Sequence, residues 1–204
     1  MPAEYVVAGP AVCLMRNNVD TDIIIPSKDM SQPGRSGLGE RLFSPWRYLP
    51  SGAPDERFVL NRLGSLQPKI LVTGHNFGCG SSREYAVWAL IDYGFECVIA
   101  GSFGNIFHGN CLANGLLPIA LEDDKLAVVA TEVGPSSGDV TVDVGARTIT
   151  CASGRSIGFD LDDREVSQIL SEDHIEETLK MAYLIDDHVE RDRQVFPWKY
   201  ATVE

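Results

Sequence analysis

Residues 70–121 alternate between short apolar runs and helix-like segments, and this alternation constrains the fold more than any other feature of the sequence. The pattern predicts strands at about 70–74, 96–100 and 116–121, with helices at about 81–93 and 104–113 between them. A βαβαβ sequence normally folds as a right-handed parallel sheet, because each helix returns the chain to the same edge. We therefore predict an α/β fold with a parallel core.

The segments that flank this core have other periodicities. From 139 to 161, apolar and polar residues alternate with a period of two, which predicts an antiparallel β meander. Residues 5–15 predict one or two short strands, broken at Gly9-Pro10. Helical patterns occupy 162–204, with helices predicted at about 162–171 and 173–194. We expect residues 1–204 to form a single domain with a helical C-terminal segment.

Residues 27–57 are rich in Gly, Pro and Ser and show little periodicity. A stretch of this length inside a compact domain is usually a functional loop, and we expect this one to move. Just before it, Asp20 and Asp22 lie in a run of turn-forming residues. Because nothing nearby completes a metal coordination shell, we expect these two carboxylates to make turns and hydrogen bonds.

A glycine-rich loop, Gly74-His75-Asn76-Phe77-Gly78-Cys79-Gly80, joins the first core strand to the first core helix. In parallel sheets, ligands bind beyond the carboxyl ends of the strands, where this loop lies. Ser81 and Glu84 have the spacing of a capping box, which predicts that the helix begins at Ser81. Free helix amides and Arg83 would together suit a carboxylate or phosphate. An ordinary strand-to-helix turn with a surface arginine explains the same pattern, and both interpretations stay open.

Composition excludes several classes of partner. The formal net charge is -12, and no basic stripe is present to neutralise the phosphates of a nucleic acid or an anionic membrane. The motifs of phosphate-cradling and dinucleotide-binding loops are absent, which disfavours nucleotide binding. No apolar stretch approaches the length of a membrane span, and the N-terminus lacks a signal-peptide pattern. We expect a soluble, cytoplasmic protein.

The five cysteines are widely spaced and form no CxxC pair, which predicts free thiols and no metal site on this chain. Cys79 is the exception to watch, because it lies within the candidate loop. His75, at the entrance of the loop, is interpreted as a structural histidine with a satisfied hydrogen bond. The other histidines are expected at the surface or at an interface: His108, His174 and His188.

Asn76-Phe77-Gly78-Cys79-Gly80-Ser81-Ser82-Arg83-Glu84 resembles the matching segment in the small subunits of 3-isopropylmalate dehydratases, the swivel-domain components of the aconitase superfamily. Further motifs match in order, and the similarity covers nearly the whole chain: Asn18 to Pro26, Trp46 to Leu49, Trp88 to Phe95, Asn114 to Ile119 and Gly154 to Ile157. The resemblance implies a swivelling β/β/α three-layer domain. It also implies a hydro-lyase of leucine biosynthesis that acts only with a large subunit, whose own cysteines hold a [4Fe-4S] cluster.

The resemblance also implies roles for individual residues. Ser81 would be the base that removes a proton next to a substrate carboxylate, with Arg83 stabilising the deprotonated oxygen and binding a carboxylate. A serine is a weak base at its ordinary pKa, so this role needs the positive end of the helix and Arg83 close by. The substrate is a small dicarboxylate. The remaining candidates for contacts with it are Ser82, Gly80, Asn76 and Cys79 in the loop, and Lys28 and Met30 after Pro26, with Asp29 and Arg35 less certain.

Two departures from the family pattern affect the expected substrate. Tyr85 stands where the family usually has histidine, and Asn105 stands where it usually has aspartate. A related hydro-lyase for another 2-hydroxy diacid, of the 2-methylmalate (citraconate) or homoaconitate type, is therefore an alternative. A non-catalytic dicarboxylate-binding domain without a partner is a second alternative.

Overall fold

The computed structural model describes residues 5–30, 34–135, 137–170 and 181–200. The chain separates into two compact units, Met1–Leu170 and Ser171–Glu204. The expectation of a single domain over 1–204 remains a prediction, as does the expected movement of 27–57, of which 31–33 lie outside the described residues. No helix in the described ranges is long and apolar enough to cross a membrane.

One seven-stranded sheet organises the first unit. Its strands are β1 (Val6–Leu14), β2 (Ile70–Thr73), β3 (Cys97–Ala100), β4 (Leu117–Ala120), β5 (Gly138–Asp143), β6 (Thr148–Cys151) and β7 (Ser156–Gly158), in the order β4-β3-β2-β1-β5-β6-β7. From β4 to β1 the neighbours pair in parallel, and from β1 to β7 they pair antiparallel. The predicted α/β fold, with a parallel core and an antiparallel portion, is confirmed.

The described ranges contain α-helices and short 3-10 turns. The helices are α1 (Thr21–Ile24), α2 (Ser44–Arg47), α3 (Tyr85–Tyr93), α4 (Asn105–Ala113), α5 (Asp123–Val133), α6 (Asp163–Leu170) and α7 (Ala182–Val195), with 3-10 turns at Ser27–Asp29, Gly39–Arg41, Val59–Arg62 and Pro197–Tyr200. One core lies between the sheet and α1 to α4, and the other lies between the opposite face and α5 and α6. The strands β2 and β3 are therefore buried along their whole length, whereas β5 and β6 bury only alternate residues.

One expectation about the strands was wrong, and one helix was not predicted. The strand β1 is not broken at Gly9-Pro10, because its pairing with β5 runs from Val6 to Ala11 without interruption. Gly9 has a φ of 152°, which glycine adopts far more readily than other residues, so the chain bends there without leaving the sheet. The helix α5 was not predicted, although Leu126, Val129 and Val133 have helical spacing and are buried.

The second unit contains α7 and the 3-10 turn at Pro197–Tyr200. An ion pair one helical turn apart, between Arg191 and Asp187, supports α7, and the Tyr200 hydroxyl donates to Asp192 at 2.9 Å. The helix predicted at 173–194 is confirmed from 182 onward, while its first part lies outside the described residues.

Candidate active site

The candidate site begins where β2 ends. Thr73, the last residue of β2, is buried, and its hydroxyl donates to the carbonyl of Leu14 at 3.0 Å, which ties the ends of two parallel strands together. The chain then turns through the glycine-rich loop. Gly80 has a φ of 98°, and a Cβ at this position would collide with the carboxylate of Asp20. The loop therefore needs glycine here both for its backbone conformation and for its close approach to Asp20.

A second loop, which comes after β1, holds the glycine-rich loop in place. The Asp20 carboxylate accepts the backbone N–H of Asp22 at 2.7 Å and so caps α1. The next residue, Thr21, donates its backbone N–H to the carbonyl of Cys79 at 2.9 Å, and its buried hydroxyl accepts the N–H of Ser81 at 3.1 Å. The prediction that Asp20 makes turns and hydrogen bonds is confirmed. These bonds fix the backbone of Cys79 to Ser81 against the start of α1.

Ser81 and Arg83 form the central contact of the site. The Arg83 Nε–H donates to the Ser81 hydroxyl oxygen at 2.8 Å. A hydrogen bond from a permanently charged donor favours the deprotonated form of the oxygen that accepts it. The pair is therefore arranged to support a serine that acts as a base.

The rest of the Arg83 guanidinium is held by the segment after β1. Its Nη2 pairs with Asp22 at 2.8 Å, and its Nη1 donates to the Ser27 hydroxyl at 2.6 Å and approaches the Met30 sulfur at 3.8 Å. The Ser27 hydroxyl in turn donates to Asp22 at 3.2 Å. A substrate carboxylate would thus meet an arginine that is already oriented and already paired, and it would have to share or replace Asp22.

The predicted capping box at Ser81 and Glu84 is wrong. The helix α3 begins at Tyr85, Glu84 is its N-cap residue, and no side chain caps it. Both predicted partners bond elsewhere: Ser81 receives Arg83, and the Glu84 carboxylate accepts from Asn114 at 3.4 Å. Contacts with other elements outweigh the local capping preference here. The two serines therefore lie on a non-helical segment that precedes α3, and the expected start of this helix at Ser81 is wrong.

The helix α4 and its C-cap residue Asn114 hold residues 82–84, which precede α3. The Asn110 side-chain amide donates to the carbonyl of Ser82 at 3.3 Å. Asn114 accepts the indole N–H of Trp88 at 2.9 Å while it donates to Glu84. Residues 82–84 are thus held between α4 and α3, and these contacts fix the position of the Arg83 backbone.

The other predicted contact residues are spread more widely. Asn76 donates its side-chain amide to Asn18 at 2.8 Å, so it braces the glycine-rich loop against the segment after β1. Lys28 lies on the 3-10 turn after Pro26 and lines a shallow cavity of about 340 Å³. Burial, with a smaller contribution from the negative charge of Asp20, raises the pKa of the Cys79 thiol, so Cys79 is not a ready thiolate.

The two departures from the family pattern have different surroundings. The Tyr85 ring packs against the Trp88 ring, with 4.8 Å between the centroids, and is partly buried against the core. Asn105 is exposed at the first position of α4. Tyr85 therefore fills space at the start of α3, and Asn105 faces solvent.

The structure describes three of the four histidines. The His75 Nε2 lies 2.6 Å from a carboxylate oxygen of Asp123, which gives this ring nitrogen a hydrogen-bond partner and agrees with the interpretation of His75 as structural. His108 lies 3.5 Å from Glu165 and packs against Phe103. His188 is exposed on α7, and His174 lies outside the described residues.

All five cysteines are free thiols, as predicted. Cys97 and Cys111 are buried, and burial raises the pKa of each thiol. No group of three or more metal-binding side chains occurs among the described residues. The thiols of this chain are thus not arranged to chelate an iron–sulfur cluster.

Sequence reasoning missed the part played by Ser27. It expected Asp22 to make turns and hydrogen bonds but did not identify Arg83 as its partner. Ser27 and Asp22 both hold the guanidinium of Arg83, from a segment about 60 positions away in sequence. The sequence did contain a signal for these contacts. An arginine that binds an anion needs partners that fix its orientation, and Asp22 and Ser27 are polar residues on either side of the apolar stretch that ends at Pro26.

Comparisons with known proteins show the family of the chain. The family model of the aconitase C-terminal domain matches residues 4–124. The chain is 43% identical over 195 residues to the 3-isopropylmalate dehydratase small subunit of Cupriavidus necator, covering 93% of this chain and 94% of that protein. It is 47% identical over 154 residues to the small subunit of Bacillus velezensis, covering 76% and 77%.

A solved structure is similar as well. The crystal structure of 3-isopropylmalate dehydratase from Methanocaldococcus jannaschii matches with a TM-score of 0.67 and 28% identity. The match covers 90% of this chain and 99% of that chain. The similarity in sequence and in fold thus extends over nearly the full length.

Proposed function

The chain belongs to the family of 3-isopropylmalate dehydratase small subunits, which share the aconitase C-terminal domain, and from this premise we propose that it is such a subunit. With a large subunit, it interconverts 2-isopropylmalate and 3-isopropylmalate by loss and re-addition of water, in leucine biosynthesis. The observation that carries the proposal is the bond from Arg83 Nε to the Ser81 hydroxyl oxygen, in a loop held by α1 and α4.

Ser81 removes the proton from the carbon next to a substrate carboxylate. Ser81 reacts from its deprotonated form, whose negative charge the fixed positive charge of Arg83 stabilises without reorganisation. When the alkoxide takes the proton, Ser81 becomes neutral, and the negative charge passes to the substrate carboxylate next to the reacting carbon. The remaining N–H groups of the guanidinium bind the substrate carboxylate, beside or in place of Asp22. The exposed N–H groups of the loop around Gly80 and Ser82 add hydrogen bonds to the same dianion.

Met30 is placed to contact the apolar part of the substrate. Its sulfur lies 3.8 Å from Nη1 of Arg83, so a carboxylate on the guanidinium brings the neighbouring alkyl group towards the methionine. A thioether adapts well to a branched alkyl group. Lys28, two residues earlier, adds a positive charge at the rim of the site.

An iron–sulfur cluster on the large subunit would supply the Lewis acid that takes the substrate hydroxyl. In this proposal the two chains divide the work, and the large subunit holds the cluster. This chain binds and orients the dicarboxylate, moves the proton at Ser81 and helps to exclude water.

The test mixes this chain with the large subunit from the same genome under anaerobic conditions and measures the turnover of 2-isopropylmalate. Arg83→Lys should abolish most of the turnover, and survival of wild-type activity would contradict the role of Arg83.

The two alternatives need their own measurements. Turnover of 2-methylmalate and homocitrate by the same complex shows whether another diacid is preferred. Micromolar binding of a diacid to the isolated chain, with no turnover in the mixture, would favour a non-catalytic binding domain.

A further inference from the structure

A groove beside the candidate site has no part in the proposed chemistry. It has a volume of about 530 Å³ and is lined chiefly by Arg16, Trp46, Tyr48, Leu49 and Arg57, and we call it the Trp46 groove. Trp46, Tyr48 and Leu49 belong to one of the sequence motifs that the reaction leaves unexplained. Leu49 is 39% exposed at its edge.

The same motif contains a half-buried arginine whose role is structural. Arg47 donates to the Asn61 side chain and to the Gly39 carbonyl, each at 3.1 Å, and stacks on the Tyr93 ring. This network holds the fold beneath the groove. Tyr48 is partly held by the same network, because its ring lies 5.5 Å from the Arg47 guanidinium and its hydroxyl donates to the Glu40 carbonyl at 2.8 Å. The hydrogen bonds of Arg47 do not involve Trp46 or Leu49, which also line the groove.

Arg16 is the unusual residue of the groove. Its guanidinium lies 4.6 Å from the centroid of the Trp46 ring, and on the inner side Trp46 stacks on Phe43. No carboxylate pairs with Arg16 among the described residues, whereas Arg57, across the groove, is held by Asp55 at 2.7 Å. Tryptophan and arginine are the residues that most often dominate the binding energy of protein–protein interfaces. Here an arginine whose N–H groups have no carboxylate partner in the described part of the chain lies over a tryptophan ring.

The Trp46 groove is continuous with the candidate site. Residues 16–18 come directly after β1: Arg16 reaches the groove, and Asn17 and Asn18 bond to His75 and Asn76 of the glycine-rich loop. The helix α2, which carries Trp46, is tied to α1 by the bond from Phe43 N–H to the Ile24 carbonyl. A second chain that closes over Ser81 and Arg83 would therefore reach this groove.

The distribution of charge favours an acidic occupant. Residues 1–83, which supply the groove and most of the site, carry nine Lys and Arg against seven Asp and Glu, a net charge of +2. Residues 84–204 carry a net charge of -14. We propose that the Trp46 groove docks an acidic segment of the large subunit, with a carboxylate on Arg16 and an apolar side chain beside Leu49. The inference rests on the proposed function.

The test titrates the cluster-loaded large subunit into the full chain and measures both association by sedimentation and turnover of 2-isopropylmalate. Arg16→Glu should raise the half-saturating concentration of the large subunit at least about tenfold, with kcat at saturation within about twofold of wild type. Arg164→Glu, at an exposed position on α6 outside the groove, makes the same change in net charge and should leave both values unchanged.

Two further measurements separate docking from a merely structural role. Wild-type association should weaken with added salt, and Arg16→Glu should show a smaller dependence on salt. Leu49→Asp should weaken association without lowering the melting temperature. If both variants are folded and associate like wild type, the docking proposal is wrong. If the wild-type chains associate without turnover, the proposed function is wrong, and sedimentation of the variants still decides the role of the groove.

Discussion

The parallel and antiparallel halves of the sheet differ in how deeply their strands are buried and in the loops that extend from the strand ends. The strands β2 and β3 are buried on both faces, and the loops after β1 and β2 carry Asp22, Ser81 and Arg83. The strands β5 and β6 bury alternate residues and are joined by a short turn through Gly145, with no candidate residue. The parallel half is therefore the platform of the site, and the antiparallel half contributes stability.

The largest effect should result from the loss of the proposed base. Ser81→Ala should lower kcat of the reconstituted complex by about 10³-fold, because it removes the oxygen that Arg83 Nε holds in position. Affinity for the large subunit and the melting temperature should stay unchanged. Activity within tenfold of wild type would mean that the base lies elsewhere.

Arg83→Lys should lower kcat by about 10²-fold, measured at saturating large subunit. A lysine keeps the charge, but its three N–H donors lie on one nitrogen and cannot replace the separate Nε, Nη1 and Nη2 atoms that bond Ser81, Ser27 and Asp22. A matched control, Arg191→Lys, removes an exposed arginine paired to Asp187 and should leave turnover intact.

The role of Asp22 can be separated from that of Arg83. Asp22→Asn keeps the shape of the side chain but removes the charge that pairs with Nη2, so we expect kcat to fall about tenfold while KM stays the same or falls. The fall in KM would occur because the substrate carboxylate no longer competes with Asp22. A large rise in KM with unchanged kcat would contradict this. Asp187→Asn on α7 is the matched control.

How far the sequence predicts this molecule depends on how local each interaction is. The parallel core can be predicted from apolar runs and helical spacing, and the meander from alternation at 139–161. The start of α3 cannot, because Ser81 accepts from Arg83, which the distant Asp22 and Ser27 hold in place, and Glu84 accepts from Asn114. The strand through Gly9-Pro10 was also misjudged, since pairing with β5 outweighs the local tendency of those two residues to break a strand.

The candidate site is predictable in part for the same reason. Ser81 and Arg83 are adjacent to a glycine-rich loop and stand out in sequence. The partners that orient Arg83 come from the segment after β1, and only the fold brings Asp22 and Ser27 to it. The roles of Asn76 and Lys28 at the substrate stay predictions.

Cys79 provides a check from within the site itself. Because burial and the charge of Asp20 raise its pKa, the thiol stays protonated near neutral pH and offers no nucleophile or base. Cys79→Ser should therefore keep kcat within about threefold of wild type, as measured by turnover of 2-isopropylmalate. A loss as large as that of Ser81→Ala would contradict the assignment of the base.

The smallest effect on turnover is expected in the antiparallel half. Ile149→Val on β6 removes one buried methyl group from a fully buried side chain and should lower the free energy of unfolding by about 0.5–1.5 kcal/mol. The kcat of the folded complex should not change. A change in kcat without a change in stability would show that the antiparallel half takes part in the chemistry.

The most direct measurement is the incorporation of solvent deuterium into isopropylmalate by the reconstituted complex, because it tracks the proton that Ser81 removes. The wild-type complex should exchange this hydrogen during turnover, and Ser81→Ala should lose exchange and turnover by the same factor. Exchange that continues at the wild-type rate in Ser81→Ala would contradict the claim that this chain supplies the base.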